Sequence, residues 1–288
     1  MTASDTAADV QRSLQRIAAE NLGRWAFSVR ERGTLTASVN GGTQVPAAST
    51  IKVALAVLVL QCVEGGRTGL TDSLIVPSSR AGGAGLLKNQ PERTIVTVRE
   101  AIDLMITVSD NTATNMLIDL LGLGKVNAGI RGLGLSRSEV NRHMMDAAAR
   151  QSGRENVTCA DDQSQLMDLL DRGELLPSRQ RDFLVELLGR QTFTDRLPSR
   201  LGPDVRCFHK TGELDGIRHD VGLLRFDDRS ISIAALGWDL GGGDAAAAAL
   251  AARVIGSAAE VTVNAARSGA AQHPSSTVDN AHTAERLQ

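Results

Sequence analysis

Residues 51–60 form a near-continuous apolar run, Ile51 and then Val53-Ala54-Leu55-Ala56-Val57-Leu58-Val59-Leu60, without glycine or proline and with one charge, Lys52. A run of this length and composition predicts a helix buried in the interior rather than one lying on a surface. Such a helix needs other elements packed around it, and 288 residues with 42% hydrophobic content suffice for a core of that size. The segment Val45-Pro46-Ala47-Ala48-Ser49 leads into the run, so Ser49 is expected at the helix entrance, where unpaired backbone N–H groups make a positive end. Lys52 follows one turn later and shares its face. A serine hydroxyl is a poor nucleophile at neutral pH without a base in reach, and a lysine serves as that base only if burial or nearby charge lowers its pKa. The apolar surroundings of Lys52 favour that. For this pair alone, the alternative is a capping serine beside a lysine whose head reaches water.

Two further motifs follow in order. Ser109-Asp110-Asn111 falls at a junction, after a helix expected over residues 98–108 and before another that ends at Gly122. Lys210-Thr211-Gly212 closes an extended segment that starts at Val205. With Ser49-Thr50-Ile51-Lys52 they make up, in order, the motif set of a serine acyl-transfer enzyme. In that reading the Ser109 hydroxyl relays a proton to the leaving group and the Asn111 amide holds substrate or Lys52. Lys210 and Thr211 would present a cation and a hydroxyl to an anionic substrate group, and Gly212 would let backbone or substrate come close. The plain alternatives are a turn capped by Asp or Asn and an exposed edge lysine.

These motifs and their surroundings resemble class A β-lactamase-type serine hydrolases, relatives of the penicillin-binding proteins. The similarity takes in Val96-Thr97-Val98-Arg99-Glu100, Thr112-Ala113 and Gly173-Glu174-Leu175-Leu176, and covers roughly residues 20–260. It implies Ser49 as nucleophile, Lys52 as its base, Ser109 and Lys210 as catalytic partners, and Asn111, Thr211 and Gly212 as substrate-binding residues. It also implies an oxyanion hole from the backbone N–H groups of Ser49 and Glu213. The expected fold is α/β, an antiparallel sheet flanked by helices plus an all-helical subdomain, with the active site between them.

One departure stands out. Family β-lactamases carry an Arg-x-Glu-x-x-x-Asn pattern whose glutamate activates the water that cleaves the acyl-enzyme. Here the comparable stretch is Arg142-His143-Met144-Met145-Asp146-Ala147-Ala148, with Met144 in the place of the glutamate and Ala148 in that of the asparagine. Asp146 is the first candidate for a substitute base, ahead of His143, Glu139 and Glu155, although a capping or solvated carboxylate is the simpler role for it. Without a substitute, acylation proceeds while hydrolysis is slow. Downstream, Arg218 is the choice for a clamp on a substrate carboxylate, because its planar fork suits bidentate pairing. A salt bridge to Asp215 or Asp220 competes with that role. His219 and Asp220 are adjacent on a strand and point to opposite faces, so they are not read as a catalytic pair.

The function expected is a serine hydrolase that cleaves an amide or β-lactam bond through a Ser49 acyl-enzyme. The alternatives are a transacylase of specialised metabolism and a penicillin-binding or sensor protein with slow or no deacylation. A small-molecule or peptide substrate is implied, with no cofactor and no metal. A net charge of −2 and few aromatics argue against a nucleic-acid partner. The longest apolar run identified, residues 53–60, is too short for a bilayer, so no membrane partner is expected. The start lacks a secretory pattern, which reads as cytoplasmic. Oligomeric state is left open. Cys62, Cys159 and Cys207 are widely spaced and expected as reduced thiols.

Along the chain, residues 1–19 are an N-terminal segment with an amphipathic helix over 10–19. Residues 20–261 form the catalytic domain, with an α/β part at about 20–48 and 200–261 and a helical part at about 49–199. Strands are expected over 24–39 with a turn near Arg32-Gly33, and over 204–211, 218–226 and 229–237. A helix over 245–255 follows, and residues 262–288 read as a disordered tail. The stretch 78–85 reads as a flexible loop, either bordering the cleft or simply connecting surface elements.

Overall fold

The computed structural model describes residues 3–271. Helix α1 (Ala3–Glu20) leads into the hairpin β1 (Arg24–Glu31) and β2 (Thr34–Val39). The chain then enters the helical part through β3 (Val45–Pro46), a 3-10 turn Ala48–Ile51 and α2 (Lys52–Glu64). There follow β4 (Ser73–Ile75), β5 (Ile95–Thr97), α3 (Val98–Thr107), α4 (Asn111–Leu121), α5 (Leu123–Gly132), α6 (Ala147–Gln151), β6 (Val157–Thr158), α7 (Ala160–Asp171) and α8 (Ser178–Gly189). The chain returns through β7 (Arg206–Leu214), β8 (Ile217–Phe226) and β9 (Arg229–Trp238), and α9 (Gly243–Ala271) ends the described part.

The main sheet has five strands in the order β2-β1-β9-β8-β7, all antiparallel. Its two faces are covered differently because alternate residues of each strand point to opposite sides. Trp25, Phe27, Leu224, Phe226 and Ile233 pack with α1 and α9 in one core cluster. On the other face small residues let α7 come close, as the buried 2.8 Å contact between Ser28 Oγ and Ser164 Oγ shows. The second core belongs to the helical part and centres on α2, whose residues from Lys52 to Leu60 are all buried. Residues of α3, α4, α5 and α8 surround it. The apolar run therefore needs no amphipathic face, since every side of it meets another element.

Helix ends in this part are set by short polar residues. Thr97 and Glu100 form a reciprocal capping box that starts α3. Asp110 caps α4 by accepting the Ala113 N–H at 2.9 Å. Edge strand β7 faces the helical part, and the junction between the two holds all three motifs.

Three expectations are corrected. The supposed tail begins too early, because α9 runs on to Ala271 with Thr262, Val263 and Ala266 buried. Its small alanine-rich face lacks bulky periodicity yet packs closely on the sheet. Residues 272–288 of that expectation lie outside the described residues. The segment before residue 20 is not separate from the catalytic domain, since Val10 and Leu14 of α1 belong to the sheet core. Finally, the 53–60 run is not the only stretch to weigh against a bilayer: Gly243–Ser268, although interrupted by charges, is long and apolar enough to cross a membrane by length and composition. In the structure Ala247, Ala251, Val254, Ile255, Ala258 and Ala259 of that helix are buried in the sheet core.

Candidate active site

Ser49 sits inside the 3-10 turn, one step before α2. As the second residue of that turn its N–H has no acceptor within the helix and is free for a ligand. The turn is held from both sides. Ala47 N–H donates to Asn156 O at 2.8 Å, and Thr50 Oγ1 donates to Ala47 O at 2.7 Å. Ala48 is held at φ 48°, a left-handed conformation that a side chain rarely adopts. Strain of about 1 kcal/mol is typical there and is often found at functional sites. Gly212 of β7 lies against this turn: a Cβ on it would stand 3.0 Å from Thr50 Cγ2 and 3.2 Å from Ala48 Cβ. A side chain here would need the turn that carries Ser49 to give by a few tenths of an ångström.

The direction of the Glu213 N–H follows from strand register. Leu214 and Ile217 close the two-residue turn Asp215-Gly216, so alternation makes Glu213–Arg218 a non-hydrogen-bonded pair. The Glu213 N–H therefore points off the free edge of β7, toward the turn that carries Ser49.

The second motif is a corner with three tasks. Ser109 also has a left-handed backbone, at φ 56°. Asp110, 1% exposed, uses its other oxygen to accept Leu86 N–H at 2.7 Å and Leu87 N–H at 2.8 Å. Asn111 donates from Nδ2 to Gly82 O at 2.9 Å. The stretch expected to be a flexible loop is thus fastened to the second motif, and its Gly83 and Ala84 line the cavity. Gly85 shows why the fit is close: at φ 121° its absent Cβ would be 2.5 Å from the Asp110 carboxyl.

Under Ser49 two lysines meet one hydroxyl. Lys52 Nζ donates to Asn111 Oδ1 at 2.8 Å, to Ser109 O at 2.8 Å and to Ser109 Oγ at 3.1 Å. Lys210 Nζ donates to the same Oγ at 3.1 Å and to Thr211 O at 2.9 Å. Both lysines are 0% exposed. Burial drives the Lys52 pKa well below the ordinary lysine value, the charge of Lys210 lowers it further, and Asp110 opposes the shift. Burial likewise brings Lys210 down to about 7, with Asp220 opposing and Arg196 assisting. A hydroxyl with one proton and two lone pairs can accept from a charged amine and donate to a neutral one, so Ser109 can carry a proton between the cavity and either lysine. Ser49 Oγ forms no hydrogen bond among the described residues, which leaves it open to the cavity.

That cavity holds about 650 Å³ and is lined by Ser49, Ser109, Asn111, Thr211, Glu213 and Arg218, among others. Its far wall is the loop 141–156, pinned at its neck by the Arg142–Glu155 ion pair at 2.6 Å. The Asn156 side chain adds to the pinning by accepting Asn141 N–H at 2.8 Å and Arg142 N–H at 3.0 Å. Met144 is held on this wall by Asn115, whose Oδ1 accepts Met144 N–H at 2.7 Å, and the Met144 side chain is buried at 8% exposure. An apolar thioether thus occupies the place where a carboxylate was sought. Asp146 also lines the cavity, but one of its oxygens caps α6 by accepting Ala149 N–H at 2.9 Å. Glu155 is committed to Arg142, His143 pairs with Asp119 at 2.8 Å, and Glu139 shares its backbone pairing with Val157.

Arg218 lines the cavity, but the salt bridge offered for it takes other partners. Its partners are not Asp215 or Asp220 but Asp244 Oδ1 at 3.1 Å and Glu213 Oε1 at 3.5 Å, with Leu214 O and Ile217 O accepting from Nη1. Asp220 is bound on its own face of the sheet by His209 Nδ1 at 2.9 Å and by Leu197 N–H at 3.0 Å. His219 points the other way, to Pro46 O at 3.0 Å, and burial lowers its pKa to about 4. Sequence reasoning missed Arg196, a buried neighbour of the third motif that donates to Gly212 O, His219 O and Glu213 Oε2. No motif marks it. Only the packing of the turn Leu197–Arg200 beside β7 brings it there.

A serine at a helix entrance, buried lysines bridged by a second serine and a strand edge offering an N–H define the fold and site of a serine acyl-transfer hydrolase. The profile of the "Beta-lactamase enzyme family" matches residues 9–261, and the chain belongs to that family. Among solved structures it is similar to the β-lactamase from Sphaerobacter thermophilus DSM 20745, at 27% identity and TM-score 0.80, covering 90% of this chain and 96% of that one. It is also similar to PBP-A, at 28% identity and TM-score 0.78, covering 88% and 96%. A PBP-A mutant seen as an acyl-enzyme complex with penicillin-G matches at 28% identity and TM-score 0.78, covering 89% and 97%. A class A β-lactamase from Bacteroides cellulosilyticus DSM 14838 shares the fold, with TM-score 0.81 at 21% identity, covering 93% and 99%. No curated protein matches the chain.

Proposed function

We propose that Ser49 attacks the carbonyl of an amide or β-lactam and that this enzyme forms its acyl-enzyme faster than it hydrolyses it. The Ser49 Oγ–carbon bond forms as the carbon–nitrogen bond breaks. The Ser49 proton goes to a neutral Lys52 amine; Ser109 gives its own proton to the departing nitrogen and is resupplied by Lys52. Negative charge on the carbonyl oxygen is held by the N–H groups of Ser49 and Glu213. Lys210, when charged, stabilises the same region.

The observation that carries this reading is the pair of buried lysines sharing Ser109 Oγ at 3.1 Å beneath an unbonded nucleophile. Slow release rests on Met144, which offers a water no proton acceptor stronger than a thioether. The PBP-A mutant seen as an acyl-enzyme complex with penicillin-G supports the acyl-enzyme. The test follows intact mass and product together, with a chromogenic cephalosporin and with a reactive ester. A long-lived adduct on Ser49, absent in S49A, is expected. Fast steady turnover overturns slow release, and no adduct with either probe overturns the acyl-enzyme. Release that speeds up on adding an amine or alcohol, with a new acylated product, identifies a transacylase.

A further inference from the structure

At the hairpin end of the cavity Arg218 belongs to the wall and Arg196 reaches Glu213 without lining the cavity itself; both arginines are 2% exposed. Two buried guanidinium groups side by side suit a carboxylate, through charge-assisted and forked hydrogen bonds. One is already there. Glu213 follows Gly212 on β7, and its 58% exposed side chain places Oε2 at 2.6 Å from Arg196 Nη2 and Oε1 at 3.5 Å from Arg218 Nη2. The other donors are also committed: Arg196 Nη1 to Gly212 O and His219 O, Arg218 Nη1 to Leu214 O and Ile217 O, and Arg218 Nη2 to Asp244. Only the two Nε–H groups are buried without a hydrogen-bond partner. The charge at this end is negative, with Asp195, Glu213, Asp215 and Asp244 around the two arginines.

We propose that Glu213 is the resident occupant of the anion site made by Arg196 and Arg218, and that it selects substrates whose leaving-group side is neutral or cationic. A substrate carboxylate at this wall has to displace Glu213 from one charge-assisted hydrogen bond to Arg196 and a longer ion pair with Arg218, and then share the space with it, and two like charges that close repel strongly. A neutral or amine-bearing group leaves Glu213 in place and meets a wall of matching charge. The expected clamp for a substrate carboxylate is therefore closed from inside. The proposal deepens the Ser49 acyl-enzyme reading and rests on it for the placing of substrate, whereas occupancy of the anion site can be read by binding alone.

Two measurements test it. The first is acylation of the protein by benzylpenicillin, by its methyl ester and by its 2-(diethylamino)ethyl ester, followed by intact mass, each rate divided by that of the same compound with hydroxide. The esters are expected to react faster than the free acid, and E213A is expected to raise the acid-to-methyl-ester ratio about tenfold or more, the size of one charge-assisted hydrogen bond. The second is calorimetric titration of S49A and of the S49A/E213A double variant with benzoate, with about tenfold tighter binding expected in the double variant. E213Q, which keeps the volume and removes the charge, replaces E213A if the latter does not fold. A free acid that outpaces both esters, or a ratio and a benzoate affinity that ignore Glu213, overturns the proposal. If none of the three compounds acylates Ser49, the acyl-enzyme reading is what falls, and the benzoate titration alone decides the role of Glu213.

Discussion

The two walls of the cavity are built to different standards of chemical completeness. The wall formed by the 3-10 turn, the Ser109 corner and β7 has its nucleophile open, its amines buried and paired, and its backbone strained into place at Ala48 and Ser109. The wall formed by loop 141–156 is equally well fastened, through Arg142–Glu155, Asn156 and Asn115, yet it presents Met144 and a carboxylate already engaged as a cap. The difference is therefore one of chemistry rather than of order. In the proposed reading the first wall makes the covalent bond to substrate, and the second holds Met144 where a base to undo it was sought.

The strongest test of the first wall is removal of the nucleophile or its base. S49A and K52A are expected to lower the acylation rate by about a thousandfold or more, as losses from a unit acting together do. An unaffected rate in either variant removes the acyl-enzyme reading. Removal of the shared hydroxyl in S109A is expected to cost about a hundredfold, the usual size of a general acid–base contribution.

The second wall is tested by supplying what it lacks. M144E is expected to shorten the life of the adduct by about tenfold to a hundredfold with little change in acylation, read by intact mass after removal of free probe. A variant that acylates but whose adduct persists unchanged shows that position 144 does not face the acyl carbon.

Protonation offers a smaller, graded test. With Lys52 held well below the ordinary lysine value, acylation is expected to rise with pH as Lys52 loses its proton, and to decline again as Lys210, brought down to about 7, loses the charge that stabilises the oxyanion. A profile flat between pH 5 and 9 would exclude an amine as the base. Stability has its own signature through His219, buried at a pKa of about 4 against its ordinary 6.5. Between those values the unfolded chain binds the extra proton, so stability is expected to rise with pH across that window and to fall on acidification, by about 3 kcal/mol in all. Denaturant melts at pH 4.5 and 7 read it, and a variant H219N is expected to flatten the slope.

Much of this was legible in residues close together in sequence. Residues 53–60 announce a buried helix because nothing in them suits water. The motif spacing places a lysine one turn from a serine because helical geometry does so wherever the helix forms. Met144 stands out because the family pattern puts an acid there. Other features were hidden for equally physical reasons. The helix from residue 243 onward packs through alanines, whose small side chains carry a weak periodic signal, and so its last turns read as a tail. Arg196 has no motif, and its role arises from a turn packed against strands that lie well beyond it in the chain. Arg218 was legible as a cavity residue, but the hairpin also places Glu213 opposite it, a pairing that depends on strand register.

What the amino-acid order settled alone was the inventory: which hydroxyl stands at a helix entrance, which amine stands one turn away, and which loop has a methionine where the family pattern has a glutamate. Local spacing and side-chain chemistry decide these, and both are carried by neighbours in the chain. What only the folded molecule decided was the joining: that two lysines 158 positions apart, Lys52 and Lys210, meet at one hydroxyl, and that an exposed glutamate turns back onto two buried arginines. Those contacts depend on how the edge of the sheet docks against the helical part. Docking is set by the packing of two whole cores, to which no single segment holds the answer.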